Sequence, residues 1–146
     1  MSQSPGAIRG ALRAKARDLL QAGNLPGTVS KGENHIIASL EDLPLTRVRT
    51  PTTQRQVDNA DQSDLFIELA LIHIAAATPE APDVELTLDN LADAAELILY
   101  KNPRTLDGSI HNITPGDQIT DIDEDADPVI GTLVSSYTLH IVRDLE

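Results

Sequence analysis

The sequence contains no cysteine, no tryptophan, one phenylalanine and only two tyrosines among its 146 residues. Without cysteine, the chain has no disulfide, no thiolate metal site and no cysteine nucleophile. So few aromatic side chains exclude a platform on which single-stranded nucleic acid or sugars could stack. No apolar run is long enough to span a bilayer, since the best one, 65–77, is short and contains Glu68 and His73. Because Met1 to Gly10 also lacks an apolar signal-peptide region, we expect a soluble chain of one domain.

Basic residues are scarce in the second part of the chain. Residues 1–60 carry eight Lys/Arg and five acidic residues, a net charge of +3. Residues 61–146 carry three Lys/Arg and eighteen acidic residues, a net charge of −15. An acidic protein is a poor binder of nucleic acid, because that affinity comes largely from neutralising phosphates. A chain divided in this way can instead bind its own copies head to tail. Ordinary solubility is the alternative explanation of the charge.

Catalytic signatures are missing from the sequence. We find no Gly-x-Ser-x-Gly, no phosphate-binding loop and no dinucleotide fingerprint. No pair of histidines has the spacing of a zinc-binding helix. His73 and His140 fall in predicted strands and could be neighbours in space, but a structural role is expected for each histidine. We therefore predict that the protein is not an enzyme.

One acidic cluster has the composition of a hard-metal site. Clustered carboxylates suit Ca²⁺ or Mg²⁺, and four aspartates alternate along this segment: Asp121, Asp123, Asp125 and Asp127. The pattern departs from an EF-hand loop, which needs Gly where Ala126 stands and Glu where Thr132 stands. We expect a solvated acidic loop and no cofactor, with weak binding of a divalent cation as the alternative.

Two amphipathic helices carry stripes of opposite charge. The first begins at Ser4-Pro5 and ends at Gly23, and the second runs over 83–100. Residues of one sign recur at helical spacing in each: Arg9, Arg13 and Arg17 in the first, and Glu85, Asp89, Asp93 and Glu96 in the second. The stripes pair within one subunit if the helices pack side by side, and between subunits if they lie on opposite flanks. Exposed pairs of this kind set orientation more than affinity.

The remaining pattern predicts strands over 34–40, 45–50, 65–77 and 130–143. Between them, 51–64 predicts a mobile polar loop and 104–129 an irregular acidic segment. The order of elements predicts an α+β domain over 1–146, with a mainly antiparallel or mixed sheet of about four strands and two helices packed on one face. Arginines in or beside the second strand, Arg47, Arg49 and Arg55, extend the basic part of the chain.

The layout resembles the phage tail terminator family, the minor tail protein U of lambda-like phages. The likeness lies in the order of elements and in their local residue patterns. It begins with an amphipathic helix, a strand after an Asp-Leu-Pro turn (42–48), a polar loop, and a central strand (64–71). A helix that starts in a Pro/acidic stretch (82–86), an acidic loop and a hydroxyl-rich last strand (131–141) complete it. The match covers nearly the whole chain, and 102–129 departs from the family's compact form.

This resemblance implies a structural virion protein with no catalytic residues to carry over. It implies a hexameric ring, assembled in the host cytoplasm, that caps the head-proximal end of the tail tube, ends tube polymerisation and offers a surface for head joining. The implied partners are other copies of the chain, the tail tube protein and a head-completion protein, while DNA passes through without specific binding and no membrane takes part. The alternatives are another head–tail connector or tail-completion subunit, a regulatory binding module, and a metal-dependent enzyme that uses the Asp121–Asp127 cluster.

Overall fold

The computed structural model describes residues 4–30, 42–57, 62–101 and 110–144, without the side chains of residues 57, 62, 111, 143 and 144. Two helices and six strands occupy this part of the chain. In chain order they are α1 (Pro5–Ala22), β1 (Thr28–Val29), β2 (Leu45–Arg49), β3 (Thr53–Val57), β4 (Gln62–Ala76), α2 (Val84–Lys101), β5 (Ile110–Asp123) and β6 (Ile130–Asp144). Neither of the two described helices has the length and apolar character needed to cross a membrane.

Both helices begin where the sequence places a capping residue. The Ser4 side chain accepts a hydrogen bond from the backbone N–H of Ala7, and Pro5 occupies the first turn of α1. Asp83 caps α2 in the same way by accepting from the N–H of Leu86 at 3.1 Å. Gly23 ends α1, and its N–H bonds to the carbonyl of Leu19. The two predicted helices are thereby confirmed to within a residue.

The sheet is mixed and has the strand order β1-β2-β4-β6-β5. Only the β1–β2 pair is parallel among the described strands. β3 also pairs with β4, on the edge that β2 occupies, so β3 lies against 63–67 and β2 against 70–74. The long β4–β6 pair forms the centre of the sheet. The α+β class is confirmed, whereas the expected number of about four strands was too low.

Two predicted irregular segments contain strands. The prediction of a loop over 51–64 was wrong for Thr53–Val57, which forms β3, and for the start of β4 at Gln62. The prediction of an irregular 104–129 was wrong for Ile110–Asp123, which forms β5. Both are polar edge strands, which need few apolar residues because pairing with a central strand holds them. The strand expected over 34–40 lies outside the described residues.

The core lies between the helices and one face of the sheet. Odd-numbered side chains of β4 and β6, such as Leu69 and Leu139, join residues of both helices in one cluster. This is the helix-covered face. Even-numbered residues of the same strands lie on the second face, where Ile72 and Val134 are half-buried. Neither described helix covers the second face, so the two faces of the sheet have different surroundings.

Gly131 lies at the closest approach of α2 to β6. A Cβ placed there would stand 2.5 Å from a methyl of Val84 and 2.8 Å from one of Leu88. We expect Gly131→Ala to lower the free energy of unfolding by about 1–3 kcal/mol through overpacking.

Gly10→Ala is the matched control for Gly131→Ala. The nearest atom to a Cβ at Gly10 is 3.8 Å away, and replacing Gly within a helix raises the free energy of unfolding by about 0.5–1 kcal/mol. Urea denaturation measures both, and equal effects of the two substitutions would contradict the contact at Gly131.

Candidate functional site

The basic and acidic elements lie at opposite ends of the sheet. α1 packs on β1, β2 and β4, α2 packs on β4, β6 and β5, and the two helices also contact each other side by side on the same face. Together α1, β2 and β3 carry seven Lys/Arg and one acidic residue, Asp18, while α2 and β5 carry seven acidic residues and one lysine, Lys101. We call α1, β2 and β3 the basic end of the subunit, and α2 and β5 the acidic end. The charge division of the sequence is therefore also a division in space.

The arginines of α1 reach across to the segment between β2 and β3. Arg9 donates from a guanidinium nitrogen to the Thr53 hydroxyl at 3.0 Å, and Arg13 donates to the Thr50 hydroxyl at 2.6 Å. Arg17, further along α1, is half-buried.

The arginines of β2 and β3 lie on both faces of the sheet. Arg47 and Arg49 pair in register with Ile72 and Ala70, which places them on the second face. Arg55 pairs with Leu65 and so lies on the helix-covered face, beside α1. Arg49 and Arg55 are exposed, whereas Arg47 is half-buried. The basic end therefore presents positive charge on both sides of its edge.

The acidic stripe of α2 faces solvent along its length. Glu85, Asp89 and Asp93 are exposed. Glu96 is half-buried and accepts a hydrogen bond from the Tyr137 hydroxyl at 3.3 Å. Burial, and next the negative charge of Glu96, raise the pKa of Tyr137 above its usual value. The phenol therefore stays protonated and remains a donor, which anchors Glu96 to β6.

A cleft of about 420 Å³ separates α2 from β5. Its walls carry three carboxylates, Asp93, Glu96 and Asp117, beside polar groups of β5 and β6. The register of β5 on β6 shifts between Pro115 and Gln118, so Gly116 and Asp117 bulge at this point. In this acidic cleft Tyr137 donates to Glu96 and Gln118 donates to Ser135.

The aspartates of the candidate metal cluster are spread over the end of β5 and the turn to β6. Asp121 and Asp123 belong to β5, whereas Asp125 and Asp127 lie in the turn, and all four are exposed. The Asp123 carboxylate accepts from the N–H of Asp125, a local turn contact. Within the described ranges, no group of three or more His, Asp or Glu side chains is arranged to hold a metal ion.

His73 and His140 are not neighbours. In the β4–β6 register His73 pairs with Leu133, and His140 pairs with Phe66, at the other end of β4 and on the other face. His140 lies 3.0 Å from the Asp64 carboxylate and stacks on Phe66 with ring centroids 4.5 Å apart. His73 is fully buried beside Thr46. His35 and the side chain of His111 lie outside the described residues.

The structure adds exposed apolar residues that the sequence analysis did not single out. Leu86, Leu97 and Tyr100 lie on the outer side of α2, and Ile119 lies on β5, where it is 66% exposed. Leu86 and Leu97 are eleven residues apart, which is close to three turns of a helix. From this spacing the sequence could have predicted that both lie on one side of α2, beside the acidic stripe. All four belong to the acidic end of the subunit.

No protein-family model matches this sequence, and a comparison with curated proteins finds no significant match.

Proposed function

We propose that this protein is a structural subunit that assembles head to tail into a ring at the head-proximal end of a phage tail tube. There the ring ends tube polymerisation and offers the surface for head joining. The proposal follows the resemblance in layout to tail terminators, and its physical support is the spatial separation of charge between the basic end and the acidic end. Attraction between unlike ends favours a heterologous contact, and a heterologous contact closes into a ring when its rotation allows.

The net charge suits a ring through which a genome passes. The chain carries a formal charge of −12, so an assembled ring presents predominantly negative surface. Such a surface repels phosphate and lets DNA slide without gripping it. The proposed binding partners are copies of this chain, the tail tube protein and a head-completion protein, and no covalent chemistry is required of any side chain.

We expect self-association to weaken as salt is added. Raising NaCl from about 0.1 M to about 1 M shortens the Debye length from about 10 Å to about 3 Å and screens the exposed charges. The association constant from sedimentation velocity should fall at least about tenfold over this range. An oligomer that is insensitive to salt would contradict a contact built on charge. A chain that stays monomeric at every concentration, with and without tail tube protein, would contradict the ring itself.

Electron microscopy of particles distinguishes a tail terminator from a head–tail connector. Loss of a tail terminator should give tails of abnormal length, whereas loss of a connector should give normal tails that fail to join heads. The metal-enzyme alternative makes a different demand. It requires Asp123→Asn and Asp125→Asn to abolish an activity without affecting assembly. We expect neither substitution to abolish an activity.

A further inference from the structure

The outer edge of β5 is free among the described residues. β5 runs for fourteen residues and pairs on one side only, with β6. Such an edge presents a row of backbone N–H and C=O groups that another strand can bind. A short or fully interrupted strand would close the edge to such binding, but β5 is neither.

One half of β5 is protected and the other half is not. Pro115 and the bulge at Gly116 and Asp117 interrupt the first half, and both features discourage pairing at an edge. From Gln118 to Asp123 the register with β6 is regular and contains no proline. This six-residue segment also carries the exposed Ile119. The available edge is therefore Gln118–Asp123.

Charge selects which strand the free edge of β5 can accept. A second β5 is a poor partner, because Asp121 and Asp123 would face like charges across a symmetric contact. β3 is a five-residue strand that carries Arg55, and in the described part of the chain it pairs only with β4. β1, at the same end of the sheet, is two residues long and offers little backbone. The edge that fits is β3 of a second copy.

The two faces of the sheet agree with this choice. On the helix-covered face, Arg55 of one copy would meet the acidic stripe of α2, which includes Asp93. On the second face, Arg49 lies before β3 and would come near Asp123 at the end of β5, which pairs in register with Ile130 and so lies on that face. Opposite charges therefore match on both faces when the sheet continues from one copy to the next with its helices on the same side.

Strand direction and stagger also agree. β4 and β5 run the same way because each is antiparallel to β6, and β3 is antiparallel to β4. In copies related by rotation about an axis to which the strands are tilted, as in a barrel, β5 of one copy is antiparallel to β3 of the next. β3 lies level with the start of β5, since Arg55, Leu65, Ile141 and Ile110 pair in succession. Joining β3 to Gln118–Asp123 staggers neighbouring copies, and strands that close on themselves must be staggered.

We propose that Gln118–Asp123 at the edge of β5 adds to β3 of a second copy of this chain, so that one sheet continues around the ring. This inference rests on the proposed head-to-tail assembly and names the strands that form it.

Two variants that assemble only with each other test the contact. Variant A carries Arg49→Glu and Arg55→Glu, so its contact residues at the β3 edge become acidic. Variant B carries Asp93→Arg and Asp123→Arg, so its contact residues at the β5 edge become basic. We expect each alone to associate at least about tenfold more weakly than the unchanged chain, and an equimolar mixture to recover the oligomer by sedimentation velocity. Because the four side chains are exposed, melting temperatures should stay close to that of the unchanged chain.

Two controls match these charge changes away from the proposed edges. Lys101→Glu and Glu80→Lys alter exposed residues at the end of α2 and before it, and we expect both to associate normally. If variants A and B associate alone as the unchanged chain does, the β5–β3 contact is wrong although the ring stands. If the unchanged chain never associates, the proposed function fails as well.

Hydrogen exchange distinguishes strand addition from a contact between side chains. In the assembled protein, backbone amides of Gln118–Asp123 and of β3 should exchange at least about tenfold more slowly than in the monomer. Amides of β4 and β6 should change little, because they are already bonded in the monomer. Assembly with unchanged exchange at both edges would overturn the proposal.

Discussion

Lowering the pH from 7 to 4 is expected to reduce the free energy of unfolding by about 3 kcal/mol through His73 alone. The side chain is fully buried, and burial lowers the pKa of His73 from 6.5 to about 4. Its Nδ1 lies 2.9 Å from the Thr46 hydroxyl, and its Nε2 has no hydrogen-bond partner among the described residues. A second proton on the ring would therefore add an uncompensated charge inside the core.

The direction of the effect follows from where the proton binds. Between pH 6.5 and pH 4 the unfolded chain binds a proton at His73 and the folded chain does not, so stability rises with pH in this window. The stability that the neutral ring provides is fully present above pH 6.5 and is lost as the pH falls toward 4. Because carboxylic acids in general gain protons in the same pH range, the comparison must isolate this one ring.

Urea denaturation at several pH values isolates the contribution of His73. The comparison variant is Thr46→Val with His73→Leu, which removes both members of the buried polar pair and leaves neither unsatisfied. From pH 7 to pH 4, we expect the unfolding free energy of the unchanged chain to fall by about 3 kcal/mol more than that of this variant. A difference that is independent of pH would show that His73 is protonated without cost, and so is not buried as described.

Replacing Leu88 by alanine should lower the free energy of unfolding by about 2–5 kcal/mol. Leu88 is fully buried in α2, where it joins Val84, Ala92, Ala75 and Leu133 in the cluster between the helix and the sheet. The substitution removes methyl groups from this cluster and leaves a cavity that the surroundings fill only partly. Because this cluster holds α2 on β6, the acidic end loses part of its support.

Leu97→Ala is the matched control, since it makes the same change in the same helix. Leu97 is 68% exposed, so its loss should change the free energy of unfolding by no more than about 0.5 kcal/mol. Helix propensity is altered equally in both variants, and the difference between them therefore measures burial. Similar denaturation midpoints for the two variants would contradict the orientation of α2 on the sheet.

Periodicity sufficed for the elements that bury apolar side chains. The cap of α1, the amphipathic pattern of α2, the pattern of β6 and the long apolar run of β4 each predicted the element that the structure contains. These signals are local, because a residue's position on a helix or strand determines which neighbours share its face. The same reasoning missed β3 and β5, whose polar residues carry no apolar pattern. Their pairing with β4 and β6 is a long-range effect that no short window of sequence contains.

For the candidate surface too, some features follow from the sequence and others only from the tertiary structure. The sequence by itself determined that one part of the chain is basic and the other acidic, that the stripes lie on helices, and that cysteine and aromatic-stacking chemistry are excluded. Only the tertiary structure decided that β3 and β5 lie at opposite edges of one sheet, that Arg9 and Arg13 bind threonines, and that the outer edge of β5 is free among the described residues. Composition and helical period are properties of the chain, whereas strand order depends on which distant segments pair. That order places basic β3 and acidic β5 at opposite edges of the sheet, where one copy can contact the next.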